Sequence, residues 1–227
     1  MGMPSNIKLT AEDGHKLQAY VAEPETKTDM AVIILQEIFG VNSHIRSVTD
    51  DFSREGFVAI APALFDRAEP GMELGYDPAS MQRGMAIARS IGLETALKDV
   101  AAALKHACSI TKYQKVGIVG YCFGGTLAWL AATRLNPSVA VSYYGGGIAD
   151  HAGEQPHCPV MLHFGNQDAH IGPEKIERIR TAHPDIPIYL YDAGHGFNCD
   201  QRKDYNASSA ALARERTLKF LKEHLRE

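Results

Sequence analysis

Short apolar runs alternate with helix-patterned segments along almost all of this 227-residue chain, and nothing else in it narrows the fold so far. "MAVIIL", "FVAIAP", "KVGIVG", "VAVSYYG", "PVMLHFG" and "IPIYLYD" are rich in β-branched and aromatic residues and carry no regular polar alternation. A strand that is apolar on both sides must be covered on both sides. "KLQAYVAEP" reads as an earlier strand. The intervening segments keep helical spacing. In "GVNSHIRSVTDDFSREG", Ile45, Val48 and Phe52 share a face, Asn42 or Ser43 can cap the start, and Gly56 can end the helix. Pro78 suits the first turn of "DPASMQRGMAIARS". "LETALKDVAAALKHA", "FGGTLAWLAATRL", "GPEKIERIRTAH" and "YNASSAALARERTLKFLKEHL" continue the alternation, whereas "ALFDRAEPGMELGYDP" reads as loop. The pattern implies an α/β fold with a mostly parallel central sheet and helices on both faces. No linker or repeat interrupts it, so residues 1–227 read as one domain, within the size of about 200–250 residues usual for such folds.

Composition excludes several classes of function. The net charge is -4, with no run of Lys or Arg, so no nucleic-acid partner is expected. The apolar runs fall far short of the roughly 20 residues that span a bilayer. No basic segment followed by an apolar one opens the chain. The expectation is a cytoplasmic protein without a membrane partner, in which Cys108, Cys122, Cys158 and Cys199 are thiols.

In an open α/β sheet, ligands gather beyond the carboxyl ends of the strands. Glu37 follows "AVIILQ", Cys122 follows "KVGIVG", Asp168 follows "PVMLHFG", and His195 follows "IPIYLYD". Gly120-Tyr121-Cys122-Phe123-Gly124 fits G-x-C-x-G between strand and helix, a sharp turn that exposes its central side chain. The following helix aims its positive end at the sulfur and favours thiolate. An acid and then a histidine come later in the chain, the order this turn takes in hydrolases. The N–H groups of Phe123 and Ile38 are the candidate oxyanion donors. Taken alone, each feature has an ordinary reading: a packed thiol, a turn-capping aspartate before Pro173, a glycine-rich loop. Together, in order and each after a strand, they point to a nucleophile, acid and base. His151, His157, Cys158, His163 and His170 lack zinc-ligand spacing, and His163 lies inside an apolar strand. Cys108 and Trp129 read as packing. No metal and no organic cofactor is expected.

"QEIFGVN", "VGIVGYCFGG", "VSYYG", "GNQD" and "AGHGF" together resemble the dienelactone hydrolases, or carboxymethylenebutenolidases, over nearly the whole chain. The resemblance implies the α/β-hydrolase fold and a thiol hydrolase of cyclic enol-lactones in the degradation of aromatic compounds. It implies Cys122 as nucleophile, His195 as base, Asp168 as the acid that orients it, and Glu37 as a carboxylate that contacts the resting thiol. It implies arginines that hold the substrate carboxylate. Arg83 falls where one is expected. The second position, four residues after His195, holds Cys199, and Arg202 lies three residues further on. Tyr143 and Tyr144 are candidate pocket residues, with strand packing as their alternative. The expected partner is a small lactone or ester bearing a carboxylate. Two other readings stay open: a broader thiol esterase for other activated esters, and a non-enzymatic protein that binds small molecules or senses redox state on the same scaffold.

Overall fold

A computed structural model describes residues 5–226. Its strands are β1 (Ser5–Thr10), β2 (Lys16–Ala22), β3 (Ala31–Leu35), β4 (Val58–Pro62), β5 (Val116–Tyr121), β6 (Val139–Tyr143), β7 (Val160–Gly165) and β8 (Ile188–Tyr191). Its helices are α1 (Ser43–Arg54), α2 (Pro78–Ile91), α3 (Leu93–Ile110), α4 (Phe123–Arg134), α5 (Pro173–Ala182) and α6 (Ala207–Leu225). The strands form one sheet in the order β1-β2-β4-β3-β5-β6-β7-β8. β2 runs antiparallel to β1 and β4, and β3 to β8 pair in parallel.

Every residue of β3, β5, β6 and β7 is buried, as their unbroken apolar character requires. α1 and α6 cover one face, joined by Glu55, which bonds Arg214 and Lys222 of α6. α3 and α4 pack together on the other. α4 is buried around its whole circumference from Gly124 to Thr133, not only along the Leu127–Leu130–Leu135 side that its spacing suggests. Asn42 is the cap of α1 and accepts from the Ile45 N–H. The segment 63–78 is largely loop, as expected, with one 3-10 turn at Leu64–Arg67. β1, for which the sequence gives no apolar signal, is an edge strand with mostly exposed residues. Among the described residues no helix is long and apolar enough to cross a membrane.

The chain leaves β3 to one side to form β4 and returns to build β5 on the other. The carboxyl ends of β3 and β5 therefore flank the point where strand order reverses, the place where such sheets bind ligands.

Candidate active site

Cys122 sits at the turn from β5 into α4 with φ 54 and ψ -110. A residue with a Cβ adopts this region only under local constraint, at about 1–3 kcal/mol. The constraint is visible in the flanking glycines. A Cβ on Gly120 would lie 1.9 Å from the Gly124 carbonyl oxygen, and one on Gly124 would lie 2.4 Å from that of Leu35. The Gly124 N–H donates to the Gln36 carbonyl at 3.0 Å, and the Cys122 N–H to that of Tyr143 at 3.0 Å. The turn is thus clamped between the ends of β3 and β6 with its sulfur held above the sheet.

Three segments remote in sequence converge on that sulfur. Cys122 Sγ lies 3.1 Å from His195 Nε2, and His195 Nδ1 lies 2.7 Å from Asp168 Oδ2. Asp168 Oδ1 accepts from the N–H groups of His170 and Ile171. The aspartate therefore caps its own turn and orients the histidine with its other oxygen. Burial alone would raise the Asp168 carboxyl, but the His195 hydrogen bond and charge, with the His170 N–H, hold it below the usual carboxylate range. Burial opposes a charge on His195 too. The Cys122 sulfur and the Asp168 carboxylate outweigh it and raise the imidazole to about 10.

Among the described residues, neither the Ile38 nor the Phe123 N–H donates to a backbone carbonyl. Gly84 of α2 packs so closely on the Ile38 carbonyl that a Cβ there would lie 2.0 Å from the oxygen. That contact fixes the Ile38 peptide. The bond from Gly124 to Gln36 brings the two turns side by side.

Glu37 is 1% exposed and pairs with Arg202, whose Nη1 lies 3.1 Å from Oε1. The contact with the thiol that the resemblance implies is replaced here by this ion pair, and the sulfur turns to His195 instead. Arg202 also stacks over Phe39, with its guanidinium carbon 5.7 Å from the ring centroid. Gly196, at φ 79, makes room for it: a Cβ there would lie 2.5 Å from Arg202 Nη1. Arg83 lies elsewhere, on the exposed side of α2, where Nη2 bonds Glu69 Oε2 at 2.5 Å. Tyr144 lies against the site, its ring 5.1 Å from the His195 ring, with φ 41 and a buried hydroxyl that has no partner. Tyr143 does not line it. Its hydroxyl turns to Thr217 of α6 at 2.7 Å, in a buried network with His163 and Tyr191. Burial depresses His163 to about 3, so this ring is a neutral core group. All four cysteines are free thiols. Cys199 is fully buried and lies beside Glu37 and His44. Sequence reading missed that last grouping, because His44 belongs to a helix whose visible signal is its apolar stripe.

Residues 17–225 match the model of the dienelactone hydrolase family. A Pseudomonas putida carboxymethylenebutenolidase is 34% identical, with 96% of each chain covered. A Synechocystis sp. chain provisionally given that name is 35% identical, with 93% of each covered. The crystal structure of a Klebsiella pneumoniae chain, provisionally named a dienelactone hydrolase, superposes with a TM-score of 0.84 at 27% identity, covering 98% of this chain and 100% of that one. With the α/β-hydrolase sheet and the converging turns, these matches place the chain in the dienelactone hydrolase family, hydrolases that act on the ester bonds of lactones.

Proposed function

We propose that the chain is a thiol-dependent hydrolase of enol-lactones and similarly activated esters that carry a carboxylate, acting in the cytoplasm. The observation that supports this most is the line from the Cys122 sulfur through both nitrogens of His195 to Asp168, at 3.1 and 2.7 Å. A thiolate formed by loss of the Cys122 proton to His195 attacks the lactone carbonyl carbon. The carbonyl oxygen becomes an oxyanion that accepts from the Ile38 and Phe123 N–H groups, each such donor contributing about 3–4 kcal/mol. Collapse breaks the ring C–O bond and expels an enolate, which takes the proton back from His195 and leaves the acyl group on sulfur and the imidazole neutral. Water then attacks the thioester and gives its proton to His195, whose tautomer Asp168 fixes. The resulting carboxylate departs and the thiol is restored. A thiolate is expelled too easily from an amide-derived intermediate to cleave peptides well, so activated esters are the matching substrates.

The substrate carboxylate is assigned to Arg202 in preference to Arg83, because the largely covered Arg202 guanidinium reaches Glu37 beside the Cys122 turn and Arg83 lies on the surface. Its arrival competes with Glu37 for the guanidinium and frees that acid to face the thiol. Pairing a carboxylate-bearing enol-lactone with its neutral methyl ester tests this. Arg202→Gln is expected to lower kcat/KM for the acid by roughly a hundredfold and for the ester far less, with Arg83→Gln close to wild type on both. Equal losses on acid and ester would remove the substrate assignment and favour the broader thiol esterase.

A further inference from the structure

Glu37, His44 and Cys199 come from three separate segments: the end of β3, the first turn of α1, and the loop that follows β8. All three are buried, and one ligand-type atom from each lies within 4.8 Å of the other two. Two atoms of this group are orphans. Glu37 Oε2 and His44 Nε2 are buried with no hydrogen-bond partner, and each such atom is costly unless something else occupies it. We propose that Glu37, His44 and Cys199 form a binding site for a borderline divalent cation of the zinc class.

The donor set supports this choice. A carboxylate, an imidazole and a thiolate together suit zinc, whereas magnesium and calcium take oxygen ligands. Zinc bonds of about 2.0–2.3 Å place tetrahedral donors about 3.4–3.7 Å apart, so the three groups need to close by about 1 Å. The imidazole is already oriented for the task. His44 Nδ1 bonds Asp200 Oδ1 at 3.2 Å, which leaves the Nε2 lone pair for the metal, the support common to metal-binding histidines.

Charge balances. Cys199 releases its proton to solvent as the S–metal bond forms, and the thiolate and Glu37 then neutralise the dication. The nearby Arg202 on Glu37 is offset by Asp200 on His44. A surface pocket borders the site at His44 and Asp200. Its members are seven and 155 residues apart in order, with no ligand-spacing motif to reveal them. Glu37 is shared with the proposed hydrolase site, and the cobalt readout is independent of activity.

The test is cobalt titration of the full chain carrying Cys122→Ala, which removes the neighbouring sulfur as a competing ligand. One equivalent of Co2+ is expected to produce a near-ultraviolet thiolate-to-cobalt charge-transfer band that Zn2+ abolishes by displacement. The band should vanish when Cys199→Ser is added. It should also be lost, or shifted to at least tenfold higher cobalt, with His44→Ala. Asp200→Asn is expected to weaken binding by about tenfold through the imidazole it orients. Absence of a band in the Cys122→Ala protein, or a band unchanged by both Cys199→Ser and His44→Ala, overturns the proposal.

Discussion

At the scale of single residues, the proposed chemistry rests on the Cys122–His195 pair. The His195 imidazole is held near 10 against the opposing effect of its own burial, with the Cys122 sulfur the largest charge acting to raise it. Cys122→Ala should therefore do two separable things. Hydrolysis should fall by at least about four orders of magnitude, and the His195 ring, followed by NMR, should titrate well below 10, with only Asp168 left to hold its proton. A His195 titration unmoved by the substitution would show that the sulfur carries no charge. Cys122, Asp168, His195 and Glu37 were legible in the sequence because each lies within four residues of the end of an apolar run, and the sheet delivers strand ends to one edge. Arg202 was legible only as a question. Its approach depends on the path of the loop after His195, and the only local sign was Gly196. Tyr143 and Tyr144 look alike in sequence. They part because successive residues at a strand end face opposite ways, one toward α6 and one toward His195.

Among the elements, the turn between β5 and α4 is the one whose sequence is fixed by contact. Gly124→Ala drives a Cβ to 2.4 Å from a main-chain oxygen of β3, where nothing flexible can yield. Chemical denaturation should show a loss of about 1–3 kcal/mol or more, with hydrolysis reduced in the surviving folded protein. Gly56→Ala is the control. Gly56 has φ 93 and no atom within 4 Å of the added Cβ, so that change should cost only the backbone term of about 1–2 kcal/mol and leave catalysis alone. Hydrolysis unaffected by Gly124→Ala would mean that the clamp on the sulfur is not needed. The same local logic explains which elements could be read in advance. Central strands and amphipathic helices announce themselves by burial. β1 is exposed along most of its length and carries no such signal; β8, the other edge, reads like a covered strand but leaves Leu190 exposed and only Tyr191 buried.

For the whole molecule, two histidines act on stability in opposite senses. His163 is depressed from 6.5 to about 3. The unfolded chain thus takes up this proton near 6.5 while the folded one refuses it, and stability falls as the pH drops from about 6.5 toward 3. His195 is raised from 6.5 to about 10. Its contribution is complete below 6.5 and is lost as the pH rises through 10. Denaturant midpoints measured against pH should peak near 6.5. His163→Gln should flatten the acid limb and His195→Gln the alkaline limb. A profile whose limbs are the same in both variants would contradict the assignment.

The central claim is that an acyl group passes through the Cys122 sulfur. Rapid acid quenching of the wild-type enzyme during turnover of an activated ester, followed by peptide mass spectrometry, tests it most directly. The expected result is one acyl group on the peptide containing Cys122, absent from the Cys122→Ala protein. Turnover with no acylated Cys122 at any quench time, or an acyl group on another residue, would contradict it.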